Sequence, residues 1–440
     1  MQNYLDKILQ FEPVKRSGKV LQYLGLVIEA SGPDAQVGEF CHVFPRNASK
    51  PVLAEVVGFK QDRLLLMPFG RVSGISVGSE VIATGKLARV PVGPALLGRV
   101  IDAFCSPLDQ GPTLQADTFS PLYREPINPL QRAPITEVIE TGIKAIDSCL
   151  TLGKGQRMGV FSGSGVGKST LLGMLAKNVN ADVNVIALIG ERGREVLDFI
   201  QDALGEEGLA KSILVVATAD QPALVRTHAA YTATAIAEYF AHQGQDVLLM
   251  MDSITRFAMA QREIGLAIGE PPTTRGYTPS VFSQLPAIVE RCGNFTDAGS
   301  ITALYTVLVE GDDFNEPITD SMRAVLDGHI MLTRELANAG HYPAIDVLTS
   351  KSRLIQQLTS LPQQKQVREL IKTLSDYQNA KDLIEVGAYE KGKNSMLDQT
   401  IAQVPLINQF LQQTKNTCFT TQESLHALQN LVSVSGDTPS

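Results

Sequence analysis

RMGVFSGSGVGKST, residues Arg157 to Thr170, is the stretch from which the rest of the chain can be read. Met158 to Phe161 is an apolar run of strand length, Ser162 to Gly167 is a glycine-rich turn, and Lys168, Ser169 and Thr170 open a helix that continues TLLGMLAKN. Gly163, Gly165 and Gly167 free the backbone for conformations that a side chain would forbid. Successive N–H groups along the loop, through Ser164 and Val166, can then converge on a polyphosphate at the helix N-terminus. Lys168 is placed for the β- and γ-phosphates of ATP, and the Ser169 hydroxyl for Mg²⁺. The strict pattern G-x-x-x-x-G-K-[ST] is broken only at its first position, where Ser162 replaces glycine. Serine is small, and the phosphate-binding backbone comes later in the loop. The plainer reading, an ordinary Gly-rich turn, needs strand, loop and helix signals to coincide by chance.

Composition sets the outer limits. With 440 residues, 44% hydrophobic and 19% charged, the chain is long enough for two or three cored domains and falls in the soluble globular class. A net charge of −8 speaks against a general nucleic-acid binder, which needs a basic surface to neutralise phosphates. Cys41, Cys105, Cys149, Cys292 and Cys418 are scattered, without metal-ligand spacing, and read as reduced, mostly buried thiols of a cytoplasmic protein. No signal peptide is visible and no apolar run is of spanning length, so membrane association is expected to be peripheral.

In chain order, MQNYLDKILQF (Met1 to Phe11) places Leu5, Ile8 and Leu9 on one side of a short helix; a partner-docking segment and a frayed terminus both fit it. From Gly18 to Arg89 short β-rich runs broken by glycine predict a small closed or sandwich-like β domain. Residues 107–134 carry six prolines, from Pro107 to Pro134, and predict an extended connector that resists helix and sheet alike. Beyond the glycine-rich loop, strand-like runs alternate with helices at Arg194 to Leu204 and Ala223 to Gln243, the pattern of a parallel sheet covered by helices. From about Ser352 the periodicity is helical, and the last residues, SVSGDTPS, read as a disordered tail. The expected division is 1–17, a docking segment; 18–95, the β domain; 96–350, the P-loop α/β domain; and 351–440, a helical domain.

Two acids join the loop. In DVLLMMD, Val247 to Met251 is a strand buried on both faces, and Asp252 stands at its carboxyl end, where ligands of a parallel sheet collect. It fits the Mg²⁺-organising acid of a P-loop nucleotidase, although an aspartate after a strand also fits a helix cap. Glu191 follows the strand VNVIALI, beside the phosphates, where a carboxylate can polarise the attacking water. On these residues alone, a helix-start carboxylate paired with Arg192 or Arg194 is an equal reading.

The segments ETGIKAID (140–147), GERGRE (190–195), DVLLMMDSITRFA (246–258), GEPPTTRGYTPSVF (269–282), GSITALYTVLVEGDD (299–313), LDGHI (326–330) and HYPAIDVLTSKSR (341–353) together resemble the type III protein-export ATPases. Those are relatives of the catalytic subunits of rotary ATP synthases, and the likeness runs from about residue 18 to 430. It implies a RecA-like P-loop domain between an N-terminal β-barrel and a C-terminal helical domain. It implies that Lys168 and Ser169 are the phosphate lysine and Mg²⁺ hydroxyl, Glu191 the water-activating glutamate and Asp252 the acid of the Mg²⁺ strand. Arg192 and Glu195 match charged residues around that site, Glu195 on the metal side. Tyr342 matches the aromatic that packs on adenine; by its surroundings in sequence it reads equally as a core tyrosine. Arg353, directly after PAIDVLTSKS, matches an arginine finger that reaches into a neighbouring subunit.

The resemblance further implies a homohexamer. The stretch GEPPTTRGY (Gly269 to Tyr277) matches the loop that faces the central stalk, while its prolines and glycines alone would make a rigid surface turn. VGAYEKGKNSMLD (386–398) looks more like the flagellar branch than the virulence-injectisome branch. Implied partners are a regulator of the ATPase, a coiled-coil stalk protein, chaperone–substrate complexes and the membrane export gate, with no nucleic acid. Implied placement is cytoplasmic, peripheral to the inner-membrane apparatus. A non-catalytic or proton-coupled rotary subunit and a hexameric RNA translocase are the other readings. The carboxylate Glu191 speaks against the first, the export-like motifs and compact C-terminal domain against the second, and the little basic or aromatic RNA-binding character of Gly18 to Arg89 against the third.

Overall fold

The computed structural model describes residues 16–46, 50–70, 72–309, 311, 313, 316–387 and 389–433. Met1 to Phe11 and the tail 434–440 lie outside them.

Among the described residues, β1 (Ser17–Leu24), β2 (Val27–Ser31), β3 (Glu39–Phe44), β4 (Val52–Lys60), β5 (Arg63–Pro68) and β6 (Glu80–Leu87) close an antiparallel barrel in the order β1-β2-β5-β4-β3-β6. Val20, Ile28, Cys41, Val56 and Leu66 fill its interior. Closure removes the edges that such short strands would otherwise expose.

The central domain is a sheet of β7 (Arg157–Ser162), β8 (Val183–Ile189), β9 (Ser212–Ala217), β10 (Asp246–Asp252), β11 (Ser300–Leu308) and β12 (Gly328–Leu332). These run parallel in the order β12-β7-β11-β10-β8-β9. A short parallel strand, Val100–Ile101, extends the β9 edge, and an antiparallel one, Lys351–Ser352, covers β12. The strands are apolar nearly throughout because helices lie on both faces. The principal helices here are α1 (Lys168–Asn178), α2 (Gly193–Asp198), α3 (Ala223–His242) and α4 (Ile254–Ile268).

Two elements differ from expectation. The helix read at Arg194 to Leu204 is α2 followed by a wider π-helical turn, Phe199–Leu204, which lays Ala203 against Gly173 of α1; a Cβ on Gly173 would come within 2.6 Å of it. The proline-rich connector is not free of sheet: Thr118–Pro121 pairs antiparallel with Arg89–Val92. A two-stranded ribbon leaves its outer edges unpaired, so Pro91 and Pro121 fit there without costing a ladder bond.

Three long helices, α5 (Leu361–Glu385), α6 (Ser395–Leu411) and α7 (Thr421–Ser433), form the C-terminal domain. Leu370, Ile407, Phe410 and Leu428 share a core with Ile143, Ile146 and Leu172, which holds this domain over the glycine-rich loop. Cys41, Cys105, Cys149 and Cys292 are buried free thiols and Cys418 is exposed. Among the described residues no helix is long and apolar enough to cross a membrane.

Candidate active site

The site is assembled at the carboxyl ends of β7, β8 and β10, the place where a parallel sheet leaves its backbone groups open to a ligand. Gly165 (φ 78°) and Gly167 (φ 89°) take left-handed conformations in the loop after β7, and Gly167 caps α1. Residues with a Cβ pay for such angles, so the loop can turn its N–H groups inward only with glycine at these points. Ser162, the departure from the strict motif, is the buried last residue of β7, and its carbonyl accepts the Val309 N–H at 2.9 Å. It belongs to the sheet and not to the phosphate-facing loop.

Lys168 Nζ lies 2.5 Å from Asp252 Oδ1 and 3.5 Å from Glu191 Oε1. Burial works against its charge, yet Asp252 and Glu191 hold the ammonium above the usual lysine range. Asp252 is 3% exposed and also accepts a hydrogen bond of 2.6 Å from the Thr306 hydroxyl on the adjacent β11. Gly190 (φ 69°) makes the turn that delivers Glu191; a Cβ there would sit 2.9 Å from Arg256 Cβ. Burial raises the Glu191 carboxyl, Lys168 pulls it down, and the Asp252 charge and a hydrogen bond with Glu195 raise it again, leaving it at about 7. Glu195 is held below its ordinary value, chiefly by that same bond. The contact between the two carboxyls thus pushes Glu191 up and Glu195 down.

Ser169 supplies a hydroxyl and Asp252 a carboxylate. These are hard oxygen donors of the kind Mg²⁺ takes along with phosphate oxygens and water, so the residues fit that ion. Glu195 lines a cleft with Ser169, Thr170 and Asp202. Arg192 faces outward, its side chain 84% exposed, and pairs with Glu195 at 3.7 Å.

On the other side of the loop a pocket of about 680 Å³ is lined by Gly167, Thr170, Tyr342, Pro343, Gln413 and Phe419. That is the size of a nucleoside site. Tyr342 is 46% exposed and is no core tyrosine; its ring lies against Gly167, where a Cβ would approach to 3.3 Å. Gln413 takes the Lys144 N–H and donates to the Gly142 carbonyl, and Lys144 Nζ stands 4.9 Å over the Phe419 ring. Sequence reasoning missed Phe419, Gln413 and Thr306. Nothing local marks the first two, which arrive with the C-terminal domain, and the third depends on strand register.

Arg353 is not brought to this site. Its N–H donates to the Asp327 carbonyl (2.9 Å) and its guanidinium to the Arg323 carbonyl (2.9 Å), beside the start of β7. The glycine-rich loop is at the other end of β7, five residues on, which is ~17 Å at the rise of a strand.

The sheet, the loop and the two acids define a P-loop nucleotidase. Residues 142–352 match the ATP synthase alpha/beta family, nucleotide-binding domain, residues 20–85 that family's beta-barrel domain, and residues 359–430 the T3SS EscN ATPase C-terminal domain. The "Flagellum-specific ATP synthase" of Bacillus subtilis is 53% identical over 433 residues, 98% of each chain. The "Type 3 secretion system ATPase" of Xanthomonas euvesicatoria is 46% identical over 414 residues, 94% of this chain and 93% of its own. The structure of the assembled ATPase EscN from the type III secretion system of enteropathogenic E. coli superposes with a TM-score of 0.89 at 44% identity, over 94% of this chain and all of that one. EscN in complex with its central stalk EscO gives 0.86 at the same identity and coverage. The chain belongs to the family of flagellum-specific ATP synthases and type III secretion ATPases, and within it stands with the flagellar export ATPases; the injectisome reading is not better supported.

Proposed function

We propose that this chain hydrolyses MgATP at the subunit interfaces of a homohexamer, and that the cycle drives unloading and export of flagellar proteins. The observation that carries the reading is the division of the machinery: Lys168, Glu191 and Asp252 meet at one end of the sheet, and Arg353 is held ~17 Å away at the other. An arginine so placed serves a neighbour's site. Because one chain carries both halves, a closed ring makes every interface a complete site.

In this reading the loop N–H groups and Lys168 take the triphosphate, and the ammonium exchanges its carboxylate partners for phosphate oxygens. Ser169 and Asp252 would hold Mg²⁺, which when bound neutralises charge on the β- and γ-oxygens. Tyr342 and Phe419 flank the base. Glu191, once deprotonated, takes a proton from the water aligned with the γ-phosphorus. Arg353 of the neighbour meets the charge on the transferring phosphoryl, a contribution of ~10³ to 10⁵ in rate, or about 4 to 7 kcal/mol. Glu195 adjusts the base and the metal side, and Arg192 acts through Glu195.

The same reading implies a regulator that docks on Met1 to Phe11 and ties the ring peripherally to the inner-membrane export gate. It also implies a coiled-coil stalk in the pore, as EscN has in EscO, and chaperone–substrate complexes as cargo.

Steady-state hydrolysis per chain should climb with protein concentration as rings form, and Glu191→Gln should bind nucleotide without turnover. Mixing Glu191→Gln with Arg353→Ala protein should restore part of the activity, because mixed rings contain intact interfaces. Failure to complement, with both variants folded and assembling, would falsify the shared site.

A further inference from the structure

LDGHI, residues 326–330, is a motif of the sequence to which the site gives no task. Its aspartate proves to be the point where the arginine finger is fastened to the strand that carries the glycine-rich loop. Asp327 holds Arg157, the first residue of β7, in a two-pronged ion pair: Nε and Nη2 each lie 3.0 Å from a carboxylate oxygen. The Arg157 N–H donates to the same carboxylate at 3.0 Å, and the Asp327 N–H returns a bond to the Arg157 carbonyl at 2.9 Å. The Asp327 carbonyl then accepts the Arg353 N–H at 2.9 Å. Gln156 braces the joint, reaching the Asp327 carbonyl and the Ser352 hydroxyl at 3.3 and 3.2 Å. Glu290 steadies Arg157 from the far side at 2.6 Å, and Arg132 holds Glu290 in turn.

Arg157 and Asp327 are only partly exposed, at 16% and 22% for their side chains. A planar guanidinium fork on a carboxylate fixes both distance and orientation, which a single hydrogen bond does not. Arg353 itself is exposed, and its guanidinium has one further anchor, the Arg323 carbonyl. The direction in which it leaves the subunit is therefore set at its backbone, and that backbone hangs on Asp327.

We infer that Asp327, through its ion pair with Arg157, is the positioning residue that aims Arg353 at the neighbouring subunit's site. This rests on the trans role given to Arg353 above. Asp327 touches no nucleotide and does no chemistry; its removal leaves the finger present and wrongly aimed. A misplacement of about 1 Å costs roughly 10²-fold in such geometry.

The test uses the full-length chain and complementation between variants. Asp327→Asn keeps the shape and removes the charge. Alone it should lower kcat roughly 10- to 100-fold with KM for ATP little changed, and Asp327→Glu should recover part of the loss. Placed in Arg353→Ala protein, it should cost almost nothing more. In mixed rings Asp327→Asn should behave as a finger variant, restoring hydrolysis with Glu191→Gln and not with Arg353→Ala. If it complements Arg353→Ala and not Glu191→Gln, its defect lies in its own glycine-rich loop and the inference is overturned. Complementing both or neither overturns it as well, and Arg157→Lys, which keeps the charge but loses the fork, guards against a fold defect peculiar to position 327. The pair Glu191→Gln and Arg353→Ala is run beside it: if that pair fails, the shared-site reading falls, whereas if it succeeds and the Asp327 pattern fails, only this inference does.

Discussion

In the proposed chemistry the decisive residue is a carboxyl that titrates near neutrality. Glu191 stands at about 7 because burial and two neighbouring carboxylates outweigh Lys168. The base role proposed for Glu191 needs the ionised form, so kcat/KM should fall about tenfold per pH unit below that value and level off above it. Glu195→Gln takes away the negative partner that keeps the proton on Glu191, so its acid limb should move to lower pH. A limb in the ordinary glutamate range near 4.5, or one that Glu195→Gln leaves in place, would contradict this account of Glu191. That Lys168 and Asp252 would meet was legible in sequence, because phosphate chemistry admits few residue types and fixes their distance from strand ends; Glu191, which joins them, read equally as a helix-start carboxylate until the resemblance singled it out. Thr306 was not: it meets Asp252 across 54 residues, through the register of β10 against β11. Arg192, which the resemblance set among the charged residues around the site, points outward in the chain and meets that site only through Glu195.

At the scale of elements the proline-rich connector does more than span. Its Leu122 carbonyl accepts from Arg291, which is 2% exposed and makes a two-pronged pair with Glu238 of α3 at 2.7 and 2.8 Å. One residue on, the Tyr123 hydroxyl reaches Glu55 of β4 at 2.9 Å and His228 of α3 at 3.0 Å, and Glu55 also contacts His228 directly. Connector, barrel and central domain are thus locked by buried polar groups that only one another can satisfy. Glu238→Ala leaves a guanidinium buried without its carboxylate and should cost about 3 to 5 kcal/mol. Arg194→Ala, which breaks a pair whose arginine is 90% exposed, should change stability by less than about 0.5 kcal/mol. Urea unfolding of the two side by side checks both, and equal midpoints would refute the assigned roles. Strand and helix order was readable from hydrophobic period. This lock was not, because prolines report only where the backbone cannot form regular structure and say nothing of what its carbonyls and hydroxyls will meet.

For the whole molecule the question is how a stalk-like partner of the proposed ring could reach the chemistry. Asp252 ends β10, Ser253 caps α4, and α4 runs 15 residues, ~22 Å, to Gly269 and the stretch Gly269 to Tyr277. A helix with Asp252, the proposed Mg²⁺ acid, just before one end and this loop at the other can act as a lever. Arg275, held at φ 52°, ties the loop to Asp313, 2.5 Å away and a few residues beyond β11, the strand whose Thr306 holds Asp252. The loop is therefore joined to the acid twice, along α4 and along β11. If a coiled-coil stalk works by pressing on this loop, the push must pass through Arg275 to move both connections together. Arg275→Ala should then reduce stimulation by a stalk-like partner while basal hydrolysis stays intact, since the site itself keeps every group. Equal loss of basal and stimulated turnover would make Arg275 a strut of the catalytic domain and not a receiver. Unchanged stimulation would mean that the push travels along α4 alone.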